Sequence, residues 1–305
     1  MNFSLLDKIA AIRGGILTTI LRTEGHTYKK RGARALFAEG APSGHAPVWG
    51  NLGSVCVDQE LVRQGGEALA DGKPRTVRID TSKVEDADFG YGTYCGGVME
   101  VLIEPVTSAH KTVYRDLRRR LESGQRSWLV HALDTGELSI LDAEPTPDER
   151  EHTEAIPPLV PLCMFGATPL AHRLVEALDD MDYRLHIVDW RQDYLDGFAG
   201  VDGVATHLDQ LPFGADADVV VLIMSHHYHR DKAVLKEALI RNCTFVGMLS
   251  SKTRRDQMYD DLRQDGVADA DLKRVCSPVG LDIGGRSDAE IAVAIAAQLI
   301  QWRNR

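Results

Sequence analysis

The 305-residue chain has no long hydrophobic run, no close pair of cysteines and no excess of positive charge. A bilayer-spanning helix needs about 18 or more consecutive apolar residues, and no stretch of the sequence approaches that length. The opening MNFSLLDKIAAIRGG places Asp7 and Lys8 where a secretory leader would carry its apolar core, so a cytoplasmic location is expected. Five cysteines, Cys56, Cys95, Cys163, Cys243 and Cys276, are scattered and odd in number, with no CxxC and no zinc-type spacing. That usage suits a reducing compartment without disulfides. A formal net charge of −10 argues against a dedicated nucleic-acid or anionic-membrane partner, because phosphate surfaces are held by surplus Lys and Arg. Internal repeats and low-complexity segments are also lacking. What remains is 44% hydrophobic and 26% charged, the balance of an ordinary globular protein. The length exceeds what a single core of about 100–200 residues uses, which predicts two domains.

The boundary is expected in DAEPTPDEREHTEAIPPLVP, which is rich in proline and acidic residues and has no periodic apolar face. This gives an N-terminal domain over 1–141, a linker over 142–160 and a C-terminal domain over 161–305. The first domain reads as α+β. Strands are expected at Gly15–Leu21, Ala33–Phe37, Ser54–Val57, Thr76–Ile79, Val98–Ile103 and Ser127–His131. Helices are expected at Gln59–Leu69 and Val113–Glu122, the latter with Leu117 and Leu121 one turn apart. The topology of this half stays open.

After the linker, strands and helices alternate. Strands expected at Leu159–Phe165, Arg184–Val188, Ala217–Met224, Thr244–Leu249 and Lys273–Ser277 are separated by helical stretches, the last at Ser287–Gln301. Alternation of this kind predicts βαβ units around a doubly wound, Rossmann-like parallel sheet. Four segments then follow strand ends, at the carboxyl edge where open α/β sheets bind ligands. In the turn Gly166-Ala167-Thr168-Pro169 the first glycine makes the tight turn. Thr168 replaces the second glycine of a dinucleotide clasp; its hydroxyl can cap the helix, and Pro169 suits the first helical turn. Asp189, at the end of the second strand, stands where an acidic residue meets a ribose, with Arg191 beyond it; the alternative is a plain βαβ turn with a solvated Asp. Ser225-His226-His227-Tyr228-His229-Arg230-Asp231 closes the central strand. Metal binding there competes with ligand contact and with helix capping by Asp231. The loop Ser277–Gly285 offers Gly280, Asp282 and Gly284 to a ligand, or simply turns the chain.

In the first domain two cysteines lie among glycines, Cys56 in Gly53-Ser54-Val55-Cys56-Val57-Asp58 and Cys95 in Gly92-Thr93-Tyr94-Cys95-Gly96-Gly97. Glycines beside a thiol admit something bulky and expose backbone N–H groups, and a thiolate can hold sulfur or a soft metal. Cys56 alone also reads as a small buried hydrophobe in a strand-like VCV triplet. The segment Arg22–Arg34 carries five basic residues against one acidic residue, Glu24, and either greets an anion or is a solvated loop.

Taken in order, these pieces resemble the XdhC/CoxI family of accessory proteins for xanthine dehydrogenase and related molybdenum hydroxylases. Gly25–Arg34 is similar to the family's G-S-T-Y-R-x-P-G-A-R stretch, Gly53–Asp58 to S-G-G-C-[LV]-E, and Tyr94–Val98 with Leu102–Pro105 to its Cys-Gly loop and following strand. Val188–Arg191 resembles V-D-P-R, Ser225–His227 resembles T-H-D, and Gly247–Lys252 resembles G-L-L-G-S-R. Pro278–Gly284 with Glu290–Ala292 is the most specific match. The resemblance implies a non-catalytic chaperone, homodimeric in its family's manner, that binds molybdenum cofactor, works beside a cysteine desulfurase and hands the cofactor to a molybdenum hydroxylase apoenzyme. Its implied cofactor-handling residues are Cys56, Cys95, Gly96, Gly97, Gly166, Thr168, Asp189, Arg191, His226, Gly280, Asp282 and Gly284. An NAD(P)-dependent oxidoreductase using Asp189 for the ribose, and a ligand-free regulatory scaffold, are the rival readings. The chain departs from the family pattern at Thr168 and Pro169, at Ser54-Val55, at Asp58 and at Ser250.

Overall fold

The five strands expected in the second half form five of six parallel strands, the sixth being Gly203–Ala205, and the mixed pattern of the first half becomes two antiparallel sheets. The computed structural model describes residues 3–40, 47–81, 97–179, 181–198, 201–207 and 218–304, without the Cys56 side chain. Two units divide at Pro158/Leu159.

The first unit contains α1 (Phe3–Ala11), β1 (Gly15–Gly25), β2 (Arg34–Ala38), β3 (Trp49–Gly50), α2 (Val55–Asp71), β4 (Arg75–Asp80), β5 (Gly97–Pro105), α3 (Ser108–Glu122), β6 (Ser127–Ala132), β7 (Leu138–Leu141) and β8 (Glu151–Ile156). One sheet runs β3-β2-β1-β5-β4 and a smaller one runs β7-β6-β8. Every pairing between neighbouring strands in these two sheets is antiparallel. α2 lies on the larger sheet, its Val57, Leu61 and Ala68 packed with Ile16, Ile79, Met99 and Val101. Two expectations are corrected. Ser54–Val57 is no strand: Ser54 is the N-cap and Val55 begins α2, because the helix buries Val57 and Leu61 on one face. The stretch over 142–160 is not all connector, since Glu151–Ile156 pairs along β6 from Ser127 to Ala132.

The second unit contains β9 (Val160–Phe165), α4 (Pro169–Leu178), β10 (Tyr183–Val188), α5 (Gln192–Leu195), β11 (Gly203–Ala205), β12 (Val220–Ile223), α6 (Tyr228–Ile240), β13 (Phe245–Met248), α7 (Lys252–Gln264), α8 (Asp269–Leu272), β14 (Val275–Cys276) and α9 (Asp288–Arg303). Its strand order is β11-β10-β9-β12-β13-β14, all parallel. Numbered within the unit this is 3-2-1-4-5-6, the doubly wound order, with its switch point between β9 and β12. Strand alternation splits the core between two faces. Leu162, Met164, Val220 and Leu222 meet α4 and α9 on one side. Cys163, Phe165, Val221 and Ile223 meet α6 and α7 on the other. The sheet is therefore buried on both faces, which explains the uninterrupted apolar runs.

Candidate functional site at the carboxyl edge of the parallel sheet

At the switch point the chain leaves β9 through Gly166, which sits at φ +117°. A Cβ there would lie 2.7 Å from both the N and the Cα of Ser225, so glycine is demanded by the close approach of the β12 exit as well as by φ. Thr168 caps α4 as expected: its hydroxyl accepts from Ala171 N at 3.3 Å, and Pro169 follows at the first helical position.

Asp189 is fully buried at the end of β10. One carboxylate oxygen accepts from Ala167 N at 2.8 Å and Arg191 Nη2 at 2.7 Å; the other accepts from Arg191 N and Arg191 Nε, both at 2.9 Å. Burial alone would raise its pKa, but the Arg191 guanidinium and the two backbone N–H groups hold the carboxyl below the usual range. Both oxygens are thus engaged within the protein. The expected ribose acceptor is instead a clasp joining the ends of β9 and β10. Arg191, spent on this clasp, also stacks over Tyr194, its guanidinium carbon 3.9 Å from the ring centroid.

Trp190, between them, was not singled out by the sequence and is the hub of the edge. Its ring lies 6.0 Å from Phe165 and meets His227 edge-on at 5.4 Å. Arg230, in the first turn of α6, lies 4.4 Å from its centroid. Arg230 is exposed and has no ion-pair partner among the described residues. Phe165, Thr206, His207, Arg230, Glu237 and Arg241 line a cavity of about 290 Å³ beside it. The available signal was an aromatic residue held between an acid and a base at a strand end, where the V-D-P-R pattern has proline.

The β12 exit is fixed by a buried network. Ser225 Oγ donates to Asp231 Oδ1, Arg254 Nη2 donates to Asp231 Oδ2 at 2.7 Å, and His227 N donates to Ser225 Oγ at 3.2 Å. Asp231 is therefore not a helix cap; His227 is the N-cap of α6 and makes no side-chain capping bond. Burial pushes the Asp231 carboxyl above the usual range even so. His226 takes φ +61°, a left-handed conformation costly for a residue with a Cβ, and its exposed side chain stands at the edge of the crevice. Among the described residues there is no group of three or more His, Cys, Asp or Glu that could hold a metal ion.

Gly166, Thr168, Asp189, Arg191 and His226 thus converge around the switch point. Gly280, Asp282 and Gly284 follow β14, in a loop that returns over the end of β13, where Val279 N donates to Met248 O at 3.0 Å. Gly280, at φ +104°, donates its N–H to Gln298 Oε1 at 2.7 Å, and Leu281 N donates to Ala294 O at 3.1 Å, which ties the loop to α9. Asp282 and Gly284 are exposed.

In the first unit, Cys95 and Gly96 lie outside the described residues. Gly97 opens β5, and a Cβ on it would come within 2.3 Å of the His26 carbonyl oxygen. The Gly25–Arg34 motif and the end of the Cys-Gly motif therefore touch backbone to backbone. The backbone of Cys56 occupies the second position of α2. Asp58, two residues further on, is 9% exposed, and its Oδ1 has no partner among the described residues; burial pushes its carboxyl up to about 6. Cys163 and Cys243 are core thiols, both raised by burial.

Residues 162–299 match the XdhC Rossmann domain, and residues 9–80 match the XdhC and CoxI family. The chain belongs to the XdhC/CoxI family. It is 26% identical to a Bacillus subtilis (strain 168) protein named as a probable xanthine dehydrogenase subunit, over 95% of this chain and 93% of that protein. It is 22% identical to the uncharacterized protein YqeB of Escherichia coli K12, over 94% of this chain but 43% of that longer protein. A crystal structure of a xanthine dehydrogenase from Bacillus halodurans superimposes with a TM-score of 0.81 at 27% identity, covering 99% of this chain and 96% of that one. No described helix is long and apolar enough to cross a membrane.

Proposed function

We propose that this family member serves the maturation of a xanthine dehydrogenase-like molybdenum hydroxylase by binding molybdenum cofactor and delivering it to the apoenzyme. A homodimer working beside a cysteine desulfurase in the cytoplasm is part of this reading. The observation that carries it is the pairing of a locked Asp189 with an available Arg230 at one switch point. A residue that would hold a ribose is engaged, while an exposed guanidinium stands in the first turn of α6, whose N-terminal N–H groups lack a side-chain cap. That chemistry fits a phosphate-bearing ligand, and the engaged Asp189 carboxylate disfavours one that needs a ribose acceptor there.

The residues present suit the cofactor in kind. Arg230 and the α6 N-terminus would seat its phosphate, with His226 at the same edge. Within the first unit, the family resemblance gives Cys56 and Cys95 as the cofactor-handling thiols, with Gly96 and Gly97 beside Cys95. When bound, the cofactor supplies the molybdenum and sulfur chemistry of the client; the chain's own part is to hold, shield and release it. A second reading, an NAD(P)-dependent oxidoreductase, is favoured by the 3-2-1-4-5-6 strand order alone.

Mass spectrometry of small molecules released from protein made in a molybdenum-replete host tests the choice. A phosphorylated pterin is expected, retained at least tenfold less by Arg230→Glu and lost from a folded Cys95→Ala protein. Full cofactor retention by Cys95→Ala would remove the thiol role, and stoichiometric NAD(P) binding in titration would replace the reading altogether.

A further inference from the structure

Within the first unit, the proline-rich acidic segment before β8 forms a wall of a large groove. The groove, about 1030 Å³, lies between the second half of β1 and the edge strand β8. β2 stops pairing with β1 at Thr19↔Arg34, and Ile20 makes the last bonds, to Ala33 and Gly32. From Leu21 to Gly25, β1 is paired on its β5 side only, among the described residues.

β8 is open as well. Leu133 N donates to Arg150 O at 2.8 Å, which sets the antiparallel phase: Arg150, His152 and Glu154 bond inward to β6. Thr153 and Ala155 therefore turn their N–H and C=O groups into the groove. Arg31 Nη2 reaches Thr153 O at 3.4 Å, as an outward carbonyl requires. The Thr153 N–H and both groups of Ala155 have no partner among the described residues.

Charge points to the occupant. Glu144, Glu149 and Glu151 line the groove, are exposed, and have no ion-pair partner among the described residues. Asp148 and Glu154 are paired, with Arg150 and Arg34, and Arg22 faces Glu100 across the β1–β5 pairing. Arg31 is the remaining cation of the lining. Lower in the groove His152 is 8% exposed, and its Nε2 has no partner among the described residues. Burial, and the neighbouring His131, lower its pKa to about 4, so it is a neutral hydrogen-bonding group and adds no positive charge.

We propose that this groove docks an extended, basic peptide segment of a partner protein, added as a strand along β8 with its cationic side chains toward Glu144, Glu149 and Glu151. Open N–H and C=O groups on an edge give such a segment main-chain bonds, and the acidic rim selects its charge. Nothing in this inference depends on which cofactor the second unit holds.

The test uses the full chain and a fluorescein-labelled (Lys-Thr)4 peptide in anisotropy titrations at low salt. Micromolar binding is expected. It should weaken at least tenfold in Ala155→Pro and in the double variant Glu149→Gln/Glu151→Gln, and vanish for (Glu-Thr)4 and for (Lys-Thr)4 methylated at every threonine nitrogen. Proline is tolerated where an edge N–H faces outward, and a thermal melt confirms that Ala155→Pro is folded; if it is not, the glutamine pair carries the test. Absent binding of (Lys-Thr)4 would overturn the proposal. So would equal binding of the methylated peptide, which would show charge attraction without strand addition. A sedimenting dimer that Ala155→Pro dissociates would assign the edge to a second copy and overturn it too.

Discussion

Asp189 shows how one residue type in one position can take either of two jobs, decided by its neighbour. Arg191 two residues on supplies three donors and Ala167 a fourth, so the carboxylate ties two strand ends together. Asp189→Asn is expected to cost about 2–4 kcal/mol, since it leaves Arg191 without its counter-charge and turns an amide NH2 toward N–H donors, and urea unfolding followed by circular dichroism will measure the loss. Gly166→Ala should be comparably severe. The new methyl would strike the Ser225 backbone at 2.7 Å while φ stays at +117°, so a loss of about 3 kcal/mol or an unfolded product is expected. The sequence singled out both positions as ligand contacts; the structure gives each a role in joining strand ends. The sequence could not see that the Asp189 oxygens are all taken, because spacing gives the place of a carboxylate and not its hydrogen bonds.

Elements were legible where burial follows a local rule. The strands of the second half are apolar on both faces because helices cover both, and Thr168-Pro169 announced the start of α4. Replacing Thr168 by Ala should cost about 1 kcal/mol by removing that cap, read as a lower urea midpoint with an unchanged slope. The first half followed the rule less well. The β-branched pair around Cys56 has strand propensity, yet tertiary packing of Val57 and Leu61 makes it the first turn of α2. β8, with sequence EHTEAI, hides its inward face behind polar residues. His152 and Glu154 are accepted there because Arg34 neutralises Glu154 and His152 stays uncharged, so no hydrophobic alternation marks the strand.

Across the whole molecule, buried histidines set an acid limit. His152 and His186 are both held down to about 4, the first by burial and His131, the second by burial and Arg184. Their folded values lie below the ordinary 6.5, so the unfolded chain binds more protons between those limits. Stability is therefore full above about pH 6.5 and falls as pH drops toward 4, by up to about 3 kcal/mol for each histidine on the linkage relation. Urea titrations from about pH 7.5 to 4 should show that slope, and His186→Asn should flatten part of it even if it lowers stability at the upper end. What the sequence by itself determined was the class of the second unit, its carboxyl-edge motifs and the family, because strand–helix alternation and ordered motifs are properties of neighbours in the chain. What only the tertiary structure decided was which polar groups are already satisfied. Both Asp189 oxygens are engaged by Arg191 and Ala167, Arg230 stands exposed beside Trp190, and among the described residues β8 pairs on its β6 side only, because each of these depends on residues brought together from separate strands and helices.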